Sequence, residues 1–179
     1  MQRQEIVISG SGGQGVVLGG IIVAEAAAIY EDRFATHNQS YGPEARGGSS
    51  KSEVIISDGT IHYPEIEKPD ILVALTQEAV DKFAGQLKPT GILITDTMVK
   101  KMPAKGEYTT YVLPIRDTAE KIRGEIVTNM VTLGVLVAIT KIVSREALKQ
   151  AVLARIPKGT ETINMQALAA GIKIAEQAV

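Results

Sequence analysis

The chain has 179 residues, no cysteine, and 19 basic against 20 acidic side chains for a formal net charge of −1. That balance lacks the basic field through which nucleic-acid binders gain most of their affinity, and with aromatics at 4% there is little to stack on bases. Zero cysteines exclude disulfides, zinc ribbons, cysteine-ligated iron–sulfur clusters and cysteine nucleophiles from this chain, and two histidines alone cannot make an ordinary zinc site.

The opening MQRQEIVISGSGGQG runs directly into a β-branched run, Ile6–Ser9, and a glycine-rich turn, with no signal-peptide core. No apolar stretch approaches the ~20 residues of a membrane span, so the expected location is the cytoplasm. Val16–Ile29 is an alanine-rich helix with hardly a polar face, which predicts burial. Arg33–Thr36 reads as a short strand, followed by a polar, turn-rich segment from His37 to Ser50. Ser52–Ile56 resumes strand character, and Ser57-Asp58-Gly59-Thr60 predicts a tight turn into Ile61–Tyr63, a hairpin. Ile71–Leu75 is a continuous apolar run of the parallel-strand kind, with Thr76 placed to cap a helix over Gln77–Phe83. Gly91–Thr95 and Tyr108–Leu113 are two more strands; Asp117–Ile122, Val127–Ile142, Ser144–Ala154 and Thr160–Ala178 follow helical spacing. The expected fold is α/β, a Rossmann-like three-layer domain over residues 1–179, with a mainly parallel sheet, one hairpin, helices on both faces and a helical C-terminal part.

Gly10, Gly12 and Gly15 satisfy G-x-G-x-x-G, with Gly13 and Gln14 inside the loop, after a strand and before a helix. Such a loop permits a tight turn and close backbone approach, and the helix start behind it seats an anion. The acid that holds a dinucleotide ribose is missing: the second strand runs into Thr36-His37-Asn38-Gln39, while Glu31 and Asp32 precede it. No Gly-Lys-Ser/Thr follows for a P-loop. Either the glycines serve chain packing or they hold a phosphate-bearing ligand.

The loop GSGGQG together with SYGPEARGG, Ser40 to Gly48, resembles the gamma component of 2-oxoacid:ferredoxin oxidoreductases, most closely the 2-oxoglutarate enzymes. The resemblance extends through Ser52–Ser57, Asp70–Leu75 and Asn129–Gly134 and so covers essentially the whole chain. It implies a complex that oxidatively decarboxylates a 2-oxoacid with coenzyme A to acyl-CoA and passes electrons to ferredoxin. Thiamine diphosphate, magnesium and iron–sulfur clusters would belong to alpha, beta and delta-type partners, with none in this chain. This subunit would pack on them and contribute to the CoA side. Its glycine loop, Gly10, Gly12, Gly13, Gln14 and Gly15, would touch the cofactor; Ser40, Tyr41, Glu44 and Arg46 would face the partners near thiamine and substrate. Alone, the chain would be inactive and would expose an apolar patch suited to a homodimer.

Other readings stay open on the residues. Ser40–Gly48 is either a functional loop, with Arg46 gripping a carboxylate or phosphate, or a surface turn with an ordinary ion pair. His37 either moves a proton or is merely hydrogen-bonded. Asn129 either makes a core polar bond or ties down a loop. Asp96 and Thr97 either present a ligand or cap a turn. The alternative whole-chain reading is a stand-alone NAD(P)- or CoA-binding module.

Overall fold

In the computed structural model, which describes residues 3–42, 48–103 and 107–179, the central strand is β1 (Arg3–Ser11). Ile6, Val7 and Ile8 are all buried there because both faces of the strand are covered, which is why the run is continuous rather than alternating. α1 (Val16–Tyr30) follows, then β2 (Phe34–Tyr41), β3 (Ser49–Ser57), β4 (Ile71–Ala74), α2 (Gln77–Phe83), β5 (Ile92–Asp96), β6 (Thr109–Leu113), α3 (Ile115–Ile122), α4 (Thr128–Thr140), α5 (Arg145–Arg155) and α6 (Glu161–Glu176). Short 3₁₀ turns occupy Ala84–Gln86 and Glu125–Val127.

The six strands lie in the order β2-β3-β1-β4-β5-β6. β1, β4, β5 and β6 pair in parallel, whereas β3 is antiparallel to both β1 and β2. The sheet is therefore mixed but mainly parallel, as the sequence indicated. Chain growth reverses between β1 and β4, so the ends of those strands flank the topological switch point.

Two sequence expectations change. The hairpin exists, but it joins β2 to β3 rather than β3 to Ile61–Tyr63. β3 already has neighbours on both sides, so no free edge remains for a further strand. Instead the Arg3 guanidinium donates to the Tyr63 and Glu65 carbonyls at 2.9 and 3.1 Å and pins that segment under the sheet. Second, the polar segment from His37 to Tyr41 is strand, not turn. β2 is an edge strand whose residues are exposed or half-buried, so its extension needs the ladder to β3 and no apolar alternation.

The third layer is partial. The main core packs one sheet face against α1, α3, α4, α5 and α6, and a smaller cluster packs α2 and the Ala84–Gln86 turn against Val7, Leu72, Ala74 and Leu93 on the other. No helix among the described residues covers β2 and β3 on that second face, where Lys51, Asn38 and Ser40 stand partly or fully exposed. α4 and α6 cross with their backbones in close approach: a side chain at Gly134 would run into the Leu168 carbonyl, and one at Gly171 into the Val131 carbonyl. Thr76 and Ser144 cap α2 and α5 through hydrogen bonds to the Ala79 and Ala147 amides at 3.2 and 3.1 Å.

Candidate functional site

The two glycine motifs meet at the carboxyl end of β1. Gly10 and Ser11 pair with Ser50 and Ser49 in the β1–β3 ladder, and the Gly12 amide donates to the Gly48 carbonyl at 2.7 Å. Beside this tie the Gly42 amide closes the β2–β3 hairpin on the Ser49 carbonyl, also at 2.7 Å. Ser40 and Tyr41 therefore stand next to the glycine loop, with Tyr41 67% exposed. Glu44 and Arg46 lie outside the described residues.

The loop is largely self-satisfied. Gln14, buried, folds its side chain back so that Oε1 accepts the Ser11 amide at 2.8 Å, and the Gln14 amide donates to the Ser11 carbonyl at 3.3 Å. Gly13 and Gly15 adopt φ values of +98° and +67°, which an L side chain rarely takes. Gly15 caps α1, and a β-carbon there would meet Asn129 Nδ2 at 2.6 Å. Asn129, at the start of α4, thus packs against the residue that precedes α1. The void lined by Gln14, Gly15, Leu75 and Asn129, between β1, α1 and α4, amounts to about 10 Å³, at the lower limit for one water. Gly13 has an open side: nothing would meet a β-carbon there within 4 Å.

A second concavity, of about 130 Å³, opens on the partly covered sheet face. The pairing register aligns Ser9, Lys51 and Ser40 across β1, β3 and β2, and Tyr41, Lys82 and Phe83 complete the rim. Two ammonium groups lie over the Phe83 ring, Lys51 Nζ at 5.6 Å and Lys82 Nζ at 5.4 Å from its centroid. Lys51 also pairs with Glu53 at 2.8 Å; Lys82 makes no ion pair among the described residues. Such a cup presents positive charge and hydroxyls to an anion, a phosphate or a carboxylate. Sequence reading missed Lys51, Lys82 and Phe83, since only the three-strand register places them beside Ser9 and Ser40.

The remaining residues weighed from sequence resolve as structure. His37 Nε2 lies 2.7 Å from Ser52 Oγ, and burial lowers the imidazole pKa from its ordinary value. Ser52 is fully buried under α1, so the pair is a packing bond and not an accessible nucleophile and base. Asp96, buried at the end of β5, accepts the Met98 and Arg116 amides at 2.7 Å each and so caps its turn and the start of α3. The Thr97 amide continues the ladder to the Leu113 carbonyl at 3.1 Å. Among the described residues no three His, Asp or Glu side chains cluster in a way that could hold a metal ion.

Residues 5–174 match the family model described as pyruvate ferredoxin/flavodoxin oxidoreductase. Over 179 aligned residues the chain is 46% identical to 2-oxoglutarate synthase subunit KorC of Methanocaldococcus jannaschii, covering 98% of this chain and 95% of that protein. The crystal structure of the keto/oxoacid ferredoxin oxidoreductase gamma subunit of Geobacter sulfurreducens superposes with a TM-score of 0.90 at 47% identity, covering 99% of both chains. A chain of the 2-oxoglutarate:ferredoxin oxidoreductase of Magnetococcus marinus shares the fold, with a TM-score of 0.88 at 22% identity; the match spans all of this chain and 32% of that one.

Proposed function

Because this chain belongs to the pyruvate ferredoxin/flavodoxin oxidoreductase family, we propose that it works as the gamma subunit of a 2-oxoacid:ferredoxin oxidoreductase, with 2-oxoglutarate as the preferred acid. The complex oxidatively decarboxylates the 2-oxoacid, joins the acyl group to coenzyme A and delivers two electrons to ferredoxin. This chain acts in the cytoplasm as one domain and is inactive alone. With no cysteine it offers no thiolate ligands for an iron–sulfur cluster. Thiamine diphosphate, magnesium and the clusters reside in alpha, beta and delta-type companions.

The observation that carries this reading is the tie from Gly12 to Gly48, which joins both family motifs into one edge beside the Lys51–Phe83–Lys82 cup. Ser40 and Tyr41 face the companions there, and Glu44 and Arg46 of the same motif are assigned the same role. The open side of Gly13 and the two lysines supply the anion contacts on the coenzyme A side. A dinucleotide at the glycine loop finds no support, because Gln14 folds back on the loop and Asn129 packs against Gly15.

The test is reconstitution. Companion subunits purified with this chain reduce ferredoxin or a viologen when given 2-oxoacid and coenzyme A, and lose that activity when the chain is omitted. Full activity without it, or turnover by the isolated chain, overturns the assignment. Arg46→Ala should lower turnover of the complex more than it lowers the melting temperature of the chain; a large loss of stability with normal turnover contradicts its place at the partner edge.

A further inference from the structure

A groove of about 520 Å³ runs along the face opposite the cup, between the start of α1, the start of α4 and the α5–α6 connection. Its walls are mainly apolar, with Leu18, Val127, Met130, Ile156 and Ile163 among them, and Ile126 lines it while 74% exposed. A soluble surface does not expose such a set at no cost unless something covers it.

One polar group at the start of α4 points the same way. Asn129 is 8% exposed and lines the groove. Its Oδ1 accepts the Met130 amide at 3.0 Å, while its amide nitrogen carries no hydrogen bond among the described residues. That amide nitrogen is not sealed from solvent, so the groove presents a donor with free capacity to an acceptor from outside. Arg123 is the sole charged residue lining the groove, and its guanidinium makes no ion pair among the described residues. No acid lines the groove to neutralise it.

We propose that this groove seats an extended segment of a companion subunit, which lays an aliphatic side chain against Leu18, Met130 and Ile163, offers a backbone carbonyl to the Asn129 amide and sets a carboxylate against Arg123. An apolar anchor flanked by a desolvated charge pair is the pattern that concentrates binding energy at protein interfaces. The inference rests on the subunit reading above, and it places a second contact surface on the opposite side of the sheet from the cup.

The experiment measures affinity of the isolated chain for the companion subassembly, expressed without it, by biolayer interferometry. Arg123→Glu, Ile126→Asp and the isosteric Asn129→Asp should each bind at least tenfold more weakly, with Lys173→Glu on the exposed side of α6 unchanged. Melting temperatures of all four variants are recorded, and a variant that unfolds is replaced in the comparison by Arg123→Gln. If the wild-type chain does not bind the companions, the subunit reading and this inference fall together. If the wild type binds and the groove variants bind within twofold of it, only the groove assignment is overturned. Normal assembly by variants that have lost thermal stabilisation by coenzyme A would mark a small-molecule pocket and overturn docking equally.

Discussion

Gly15→Ala tests whether the glycine loop is built for packing against Asn129. At φ +67° an alanine pays the left-handed penalty of about 1–2 kcal/mol. Its β-carbon would also stand 2.6 Å from Asn129 Nδ2, where ordinary contact begins at 3.4 Å, a shortfall of about 0.8 Å. Moving a buried amide that far forces an unfavourable rotamer or a small helix shift, worth about 1–2 kcal/mol. The total is about 2–4 kcal/mol, which in a chain of this length lowers the melting temperature by roughly 4–16 °C. Gly13→Ala carries a left-handed penalty of about 1–2 kcal/mol but meets no neighbour, so it should fall by the smaller amount. Calorimetry on the isolated chain separates the two terms when Asn129→Gly is added to each variant, because the Asn129 β-carbon itself would stand 2.9 Å away. The Gly15→Ala and Asn129→Gly pair should be less than additive by about 1 kcal/mol, whereas the Gly13→Ala pair should add. Additivity at Gly15, or a Gly15→Ala chain as stable as wild type, refutes the wedge.

Three further outcomes follow from the packing and charge of the fold. Gly134→Ala at the α4–α6 crossing should destabilise by about 1–3 kcal/mol despite alanine's better helix propensity, because the obstacle is the Leu168 backbone carbonyl and not a movable side chain; a chemical-denaturation midpoint at or above wild type contradicts this. His37 has a folded pKa below the ordinary 6.5, so the unfolded chain takes its proton first as the medium acidifies. Its stabilising effect is complete above that value and is lost as pH falls through the lower folded pKa; melting curves from pH 7.5 to 5 should therefore slope less in His37→Gln than in wild type. Lys82→Glu reverses the unpaired charge of the cup on an exposed position and should raise the KM for coenzyme A in the complex several-fold at unchanged melting temperature, where an unchanged KM removes the cup from the coenzyme side.

The parallel core was legible because its strands are continuous apolar runs, and α2 was predicted at its observed bounds from Thr76 and the spacing behind it. The β2–β3 hairpin was not. His37–Tyr41 carries no apolar period, and its strand state comes from pairing with β3 over distance in sequence. Likewise G-x-G-x-x-G correctly marks a strand–turn–helix, but the pattern is silent on Gln14 and Asn129 closing over it, since one is inside the motif at an unrestricted position and the other is on α4. Lys51 reads as one charge in a strand until the register sets it between Ser9 and Ser40.

The plug formed by Gln14 and Asn129 has a cellular consequence. Cells hold free dinucleotides that many glycine loops of this signature recognise, and a subunit that admitted them would couple its complex to their supply. Here Gln14 and Asn129 pack against the loop from within the polypeptide, and a dinucleotide would have to displace them to seat there.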